Sequence, residues 1–215
     1  MTRRSTGLLV CISSIVVLLF ATAYRVPAAS GKARPRSGQG SQDQILAGRR
    51  LVLSSACGDC HGYAGNNPAG AGFLVGMKDT AQQFHVGPFI TRPKNLTPDV
   101  ATGTGSFTER QLFNALRYGL RPEDTPDLKI TSATPGMGNF PKEPHYLGPF
   151  MPWASWRHMS DEDLWSIIAY LRHGVKPVLH KVELSDDAPD HWASAVATLG
   201  KHPAAPFPTV NEIKR

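Results

Sequence analysis

Two cysteines and a histidine stand close together in the segment Cys57-Gly58-Asp59-Cys60-His61. A Cys-x-x-Cys-His sequence is the attachment site for a c-type haem. Its two thiols can each add to a vinyl group of the porphyrin, and the imidazole that follows can bind the iron as the proximal axial ligand. We therefore predict one haem c, held covalently through Cys57 and Cys60, with His61 as an iron ligand.

Other interpretations of the same residues have to be weighed. A structural zinc site needs two further ligands, usually another Cys or His pair, and the sequence holds no second Cys pair. A thioredoxin-like dithiol would need alternating strands and helices around it, and the surrounding sequence does not indicate them. A free dithiol without a cofactor stays open, as does a Cys57–Cys60 disulfide, which would close a very small loop.

The N-terminus supports the haem interpretation because it has the pattern of an export signal. It begins with basic residues, continues with an apolar run over 7–23, and offers Ala21-Thr22-Ala23 as a cleavage site. We expect residues 1–29 to be a signal peptide, with a retained N-terminal anchor as the alternative, and the protein to be periplasmic. Removal of this segment leaves only Cys57 and Cys60, so no spare thiol enters an oxidising compartment.

The formal net charge of +6 is concentrated near the N-terminus. The first 42 residues hold six basic and no acidic side chains, whereas residues 43–180 hold 13 basic and 12 acidic ones. A nucleic-acid-binding surface would need basic residues clustered on the folded domain, so we predict no nucleic-acid partner. Residues 30–42, rich in Ser, Gly and Gln, are predicted to be a flexible linker, which could touch anionic lipid if the anchor is retained.

Three helices are predicted from apolar spacing and capping residues. The first spans about 42–54 and contains Gly48, which suggests a close helix crossing. The second spans 108–118 and opens with a Thr-x-x-Gln capping box. The third spans 161–173, with Ser160 as its N-cap and a glycine at its end. The Gly- and Pro-rich segments between the helices show no strand alternation, so they are predicted to be long loops around a cofactor.

Several further segments occur in an order that matches a known family. They are Ala47-Gly48-Arg49-Arg50-Leu51 before the haem motif, Asn95-Leu96-Thr97-Pro98-Asp99, Thr102-Gly103-Thr104-Gly105, Met151-Pro152-Trp153, and residues 159–164 and 169–172. Together they resemble class I cytochromes c, in particular the c-type cytochrome subunits that accompany bacterial periplasmic dehydrogenases. The resemblance covers a domain over 43–178 and implies an all-α, class I cytochrome c fold with three main helices and long loops. It leaves 179–215 as a C-terminal extension.

The resemblance also implies a second axial ligand to the iron. The family places a methionine beside a proline in the loop before the last helix, and Met151 occupies that place. A thioether ligand favours reduced iron and raises the reduction potential. The other candidates for this ligand are Met77, Met137, Met159, His145 and His158.

Other residues receive supporting roles from the same resemblance. Pro88 or Pro93 is expected to lie at the turn whose carbonyl accepts a hydrogen bond from the other ring nitrogen of His61. Asn95 or Trp153 is expected to bond a haem propionate. Residues 120–148 form a longer connection than the family usually has. We predict for them a surface loop, or a segment that covers one haem edge or forms a partner surface.

The function that the resemblance implies is single-electron transfer, with no bond chemistry by the protein itself. The expected partners are a dehydrogenase subunit, an oxidase or another cytochrome, with delivery of electrons to a respiratory chain. Ligation of the iron by both His61 and Met151 would block a substrate, which argues against an enzyme. The alternative is a haem protein with an exchangeable sixth ligand that acts as a catalytic or ligand-binding subunit.

Overall fold

The computed structural model describes residues 41–79, 82–156, 158–186 and 213, and these residues are mostly helical. The helices are α1 (Gln42–Ser54), α2 (Cys57–Cys60), α3 (Glu109–Tyr118), α4 (Trp153–Trp156) and α5 (Asp161–Ala169), and the strands are β1 (Phe84–Val86) and β2 (Phe89–Thr91). Short 3₁₀ turns cover Thr104–Ser106 and Pro122–Asp124, and a π-helical turn covers Tyr170–Gly174. In this part of the chain no helix is long and apolar enough to cross a membrane.

Three of the predicted segments lie outside the described residues. They are the signal peptide or anchor over 1–29, nearly all of the linker over 30–42, and nearly all of the C-terminal extension beyond 186.

The helices α1, α3 and α5 lie where the sequence predicts its three helices. The Thr108 hydroxyl accepts a hydrogen bond from the Gln111 backbone N–H (3.1 Å), and the Gln111 side chain accepts one from the Thr108 N–H (3.0 Å). Ser160 caps α5 by accepting from a backbone N–H of the first turn, at 3.0 Å. The last helix is shorter than predicted, because regular α-helix stops at Ala169 and a wider π-helical turn continues to Gly174.

The predicted close crossing at Gly48 is present between α1 and α5. A Cβ atom on Gly48 would overlap the carbonyl group of Ser166 and lie 2.9 Å from Cβ of Tyr170. The side chains behind the crossing are buried, among them Val52, Leu164 and Ile168. The absence of a side chain at Gly48 therefore lets the two helix backbones touch.

A short β-hairpin corrects the all-α description. Strands β1 and β2 pair antiparallel, and their two-residue turn begins at Gly87, whose φ of +61° suits glycine. Each strand has three residues, which is too short to show the alternation of apolar and polar residues that indicates a strand. The mostly helical prediction is confirmed, but the described residues form five α-helical segments and a two-stranded sheet rather than three helices alone.

The long connection over 120–148 is partly a core element. Its ends meet through a bridge between Leu120 and Tyr146. These two side chains, with Ile130 and Phe140, are buried together against Trp153 of α4. The prediction of a surface loop is therefore wrong for these residues, which build a second hydrophobic cluster beside the one at the helix crossing.

Candidate haem site

The Cys-x-x-Cys-His segment forms a single helical turn that follows directly on α1. Ala56, in the left-handed region with φ +54°, reverses the chain after α1 and begins α2. The His61 backbone N–H then donates to the Cys57 carbonyl at 2.9 Å, which closes the turn. Cys57 is half-buried and Cys60 is exposed, so one turn carries both thiols and the imidazole.

Gly58 explains why this turn can lie close to the neighbouring loop. A Cβ on Gly58 would lie 2.9 Å from the ring of Phe73. The Gly58 N–H also donates to the side-chain oxygen of Asn66 at 3.3 Å. The turn is thus fixed by both packing and hydrogen bonding.

His61 is prepared to act as a metal ligand through one ring nitrogen. Its Nδ1 lies 2.7 Å from the carbonyl oxygen of Lys94. A carbonyl can only accept, so Nδ1 carries the proton and Nε2 keeps the lone pair that binds a metal. Burial lowers the pKa of His61, although the hydrogen bond to Lys94 acts in the opposite direction. The ring is therefore held in the neutral form that ligates iron.

The carbonyl that orients His61 lies beside one of the two prolines that the resemblance suggests. The accepting carbonyl belongs to Lys94, in a segment of residues 92–97 that we call the proximal loop. The Pro93 carbonyl accepts instead from the backbone N–H of Met77, at 3.2 Å. Pro88 lies in the turn of the β-hairpin. Of the two prolines that the resemblance suggests, Pro93 adjoins the accepting carbonyl, which belongs to the next residue, and Pro88 does not.

The two thiols lie in environments that favour their protonated form. Burial raises the pKa of Cys57 to about 11, and burial together with the charge of Asp59 raises the pKa of Cys60. Within the residues that the structure describes, no group of three or more His, Cys, Asp or Glu side chains could hold a metal ion. Protonated thiols can add across the vinyl groups of a haem, so the residues fit that cofactor.

Met151 lies between the two hydrophobic clusters and packs against both. It is half-buried, and its backbone is fixed by a hydrogen bond from its N–H to Gly148 and one to its carbonyl from Trp153 (3.0 and 2.8 Å). Its role as the sixth iron ligand stays a prediction.

The rival ligands occupy other environments. Met137 is 60% exposed, Met77 is buried, and Met159 packs against the cluster at the helix crossing. His145 is exposed and lies 3.1 Å from a carboxylate oxygen of Asp124. His158 is exposed too.

Asn95 has a different role from the predicted contact with a haem propionate. Its side-chain amide donates to the hydroxyl of Thr102 (3.1 Å) and to the carbonyls of Val178 (2.9 Å) and His180 (3.3 Å). These protein partners take up both amide hydrogens. Trp153, the other candidate, is buried and stacks on Tyr146, and its contact with a propionate stays a prediction.

Sequence reasoning missed Lys94, and it did not identify which residues the chain after the last helix contacts. The carbonyl of Lys94 belongs to the main chain, so its residue type carries no signal. Residues 178–186 lie along the proximal loop. No motif within residues 178–186 indicates this contact.

A turn that presents two thiols and a neutral imidazole on a mostly helical domain defines a c-type cytochrome. The family model for cytochrome c matches residues 45–174, more than half of the chain, and the chain belongs to the cytochrome c family. Membership implies a covalently bound haem c, and Cys57 and Cys60 are the cysteines in the attachment sequence.

Three relatives are cytochrome subunits of dehydrogenases. The gluconate 2-dehydrogenase cytochrome c subunit of Pantoea cypripedii is 26% identical over 148 residues, which is 69% of this chain and 27% of the relative. The fructose dehydrogenase cytochrome subunit of Gluconobacter japonicus is 27% identical over 144 residues (67% and 24%). The alcohol dehydrogenase (quinone) cytochrome c subunit of Gluconacetobacter polyoxogenes is 33% identical over 84 residues (39% and 14%). The chain thus covers less than a third of the length of each.

Proposed function

We propose that this protein carries single electrons through one haem c, accepting them from a dehydrogenase and passing them to a respiratory chain in the periplasm. The observation that carries the proposal is the hydrogen bond from His61 Nδ1 to the Lys94 carbonyl, within a Cys-x-x-Cys-His turn. It fixes the tautomer and orientation that His61 would need as a haem ligand. The names of the dehydrogenase cytochrome relatives support the choice of donor.

Different residues would attach the haem and ligate its iron. Haem c, when bound, supplies an iron that alternates between the ferric and ferrous states. Cys57 and Cys60 would attach the porphyrin, and His61 would ligate its iron through Nε2. Met151 would supply a thioether, a ligand that favours the ferrous state. Ligation by both His61 and Met151 would exclude a substrate from the iron, so the protein would act as a carrier rather than an enzyme.

The first experiment tests the cofactor and its ligands. Haem absorbance should remain on the polypeptide after denaturation and electrophoresis, and should be lost in the double variant Cys57→Ala/Cys60→Ala. The oxidised protein should show the weak far-red band of methionine-to-iron ligation. We expect Met151→Ala to lose this band and Met137→Ala, at an exposed methionine, to keep it. The reverse result would remove Met151 from the proposal.

The second experiment separates a carrier from a ligand-binding haem protein. A carrier with a methionine ligand should not bind carbon monoxide at low concentration when reduced, and should titrate as a reversible one-electron couple. Ready binding of carbon monoxide to the unmodified protein would favour the alternative with an exchangeable sixth ligand. Co-purification of a catalytic dehydrogenase subunit from the native host would identify the donor. Recovery of the protein from the periplasmic fraction would test its location.

A further inference from the structure

The chain that follows the π-helical turn returns along the haem-attachment side of the domain. Residues 178–186, which we call the strap, run beside residues 90–102. At one end of the strap the Val178 N–H donates to the hydroxyl of Thr97, at 3.1 Å. The His180 N–H donates to the hydroxyl of Thr102, at 3.0 Å. The Asn95 amide donates to the carbonyls of both strap residues, so side chains of residues 95–102 hold this end of the strap.

The other end of the strap is also held by hydrogen bonds. Asp186 and Ile90 exchange two hydrogen bonds, of 2.8 Å from the Asp186 N–H and 2.7 Å to its carboxylate. The Arg92 N–H donates to the hydroxyl of Ser185 at 2.9 Å. Between the two ends, the Lys94 ammonium donates to the carbonyl of Glu183 at 3.0 Å. The strap therefore holds the residues on both sides of Lys94 and Lys94 itself.

A second segment, residues 74–77, holds the opposite edge of the proximal loop. The Leu96 N–H donates to the Leu74 carbonyl (2.8 Å), and the Met77 N–H donates to the Pro93 carbonyl (3.2 Å). The strap reaches this segment too, because His180 Nε2 lies 2.9 Å from the Met77 carbonyl. The proximal loop thus lies between two lines of hydrogen bonds, and its Lys94 carbonyl points to the ring of His61.

We infer that the strap is a positioning element for the proximal iron ligand: by fixing the proximal loop, it sets the hydrogen bond between Lys94 and His61 and thereby tunes the haem. This inference rests on the proposed function as a haem carrier. A shorter hydrogen bond from Nδ1 makes the imidazole a more basic ligand, and a more basic ligand stabilises ferric iron. A loosened strap should weaken the bond and shift the equilibrium toward ferrous iron, so the reduction potential should rise.

The test uses the full-length haem protein with uncharged substitutions in the strap alone. Val182→Ala/Ser185→Ala removes the hydroxyl that holds Arg92 and the side chain that lies over Gly76. Ser185→Ala alone is the milder variant. Leu184→Ala is the matched control, because its side chain belongs to the same strap and is 83% exposed. Two quantities are measured in each: exchange of the His61 Nδ1 proton with solvent, by NMR of the reduced protein, and the reduction potential.

We expect the Nδ1 proton of the double variant to exchange about tenfold faster than in the parent, the effect of losing one hydrogen bond and one apolar contact. The ferric–ferrous equilibrium should shift toward ferrous iron by about threefold, with a smaller shift in Ser185→Ala. Exchange and potential that match those of Leu184→Ala, or a potential that falls, would overturn the inference. Retained covalent haem with a reversible one-electron titration in every variant would show that the proposed carrier function stands independently of this outcome.

Discussion

Replacing Gly48 with alanine would place a methyl group inside the crossing of α1 and α5. The new Cβ would overlap the Ser166 carbonyl and lie 2.9 Å from Cβ of Tyr170. Ser166 presents main-chain atoms, which cannot rotate away as a side chain could, so the helices would have to separate by about 1 Å. In an uncrowded helix the same substitution would stabilise the protein by about 1 kcal/mol. A loss of stability in Gly48→Ala would therefore indicate the close helix crossing, whereas a gain would indicate helix propensity alone.

We expect Gly48→Ala to lower the free energy of unfolding by about 2 kcal/mol. Overpacking a core costs about 1–3 kcal/mol, a clash with backbone belongs at the upper end, and the gain in helix propensity offsets about 1 kcal/mol. The measurement is urea unfolding of the haem-loaded protein followed by circular dichroism. Arg50→Ala, at an exposed position of the same helix, is the control and should change stability by less than about 0.5 kcal/mol. A Gly48→Ala protein as stable as the parent would refute the account of the crossing.

Three further predictions use the same unfolding assay. Thr108→Ala removes the N-cap of α3 and should cost about 1 kcal/mol; no change would mean that solvent replaces the cap. Phe140→Ala should cost about 3–4 kcal/mol because its side chain is buried in the second cluster, whereas Leu128→Ala, at an exposed site of the same segment, should cost little. The Thr102 hydroxyl lowers the pKa of Asp99, so this carboxylate stabilises the fold above its unfolded pKa, and the stabilisation is lost as the pH falls through the folded pKa. Asp99→Asn should therefore reduce the loss of stability between neutral and acidic pH, and an unchanged pH profile would contradict this role.

The parts of the fold that the sequence predicts are those determined by neighbouring residues. The capping residues Thr108 and Ser160 satisfy backbone N–H groups within three residues of themselves, so their signals are local. The apolar spacing that marks α1, α3 and α5 is local too. Gly48 is a partial exception, because its cost within a helix suggests a close crossing without naming the partner helix. The Cys57–His61 turn is predictable because its three functional groups lie in one turn.

The parts that sequence reasoning missed depend on contacts between distant residues. Asn95 reaches the carbonyl of Val178 across 83 positions in sequence, and His180 reaches Met77 across 103. No pattern within either segment records such a pairing. The apolar residues of the second cluster are scattered through a proline-rich stretch without helical or strand spacing, so the sequence predicted a loop where a core lies. Lys94 contributes a carbonyl group, which every residue type possesses.

The two sides of the proposed iron site are held by different kinds of interaction. On the proximal side, His61 is fixed by a hydrogen bond to Lys94, whose own segment is bonded along both edges. Met151, the proposed ligand from the other side, lies in a loop and packs between two hydrophobic clusters. A directional hydrogen bond fixes a ring orientation, whereas apolar packing fills space and tolerates small movements. If Met151 is the sixth ligand, changes in the second cluster should therefore alter its bond to iron first, while His61 and the thioethers keep the haem in place. An exchangeable ligand in this protein would consequently arise on the methionine side, through residues that belong to the long connection over 120–148.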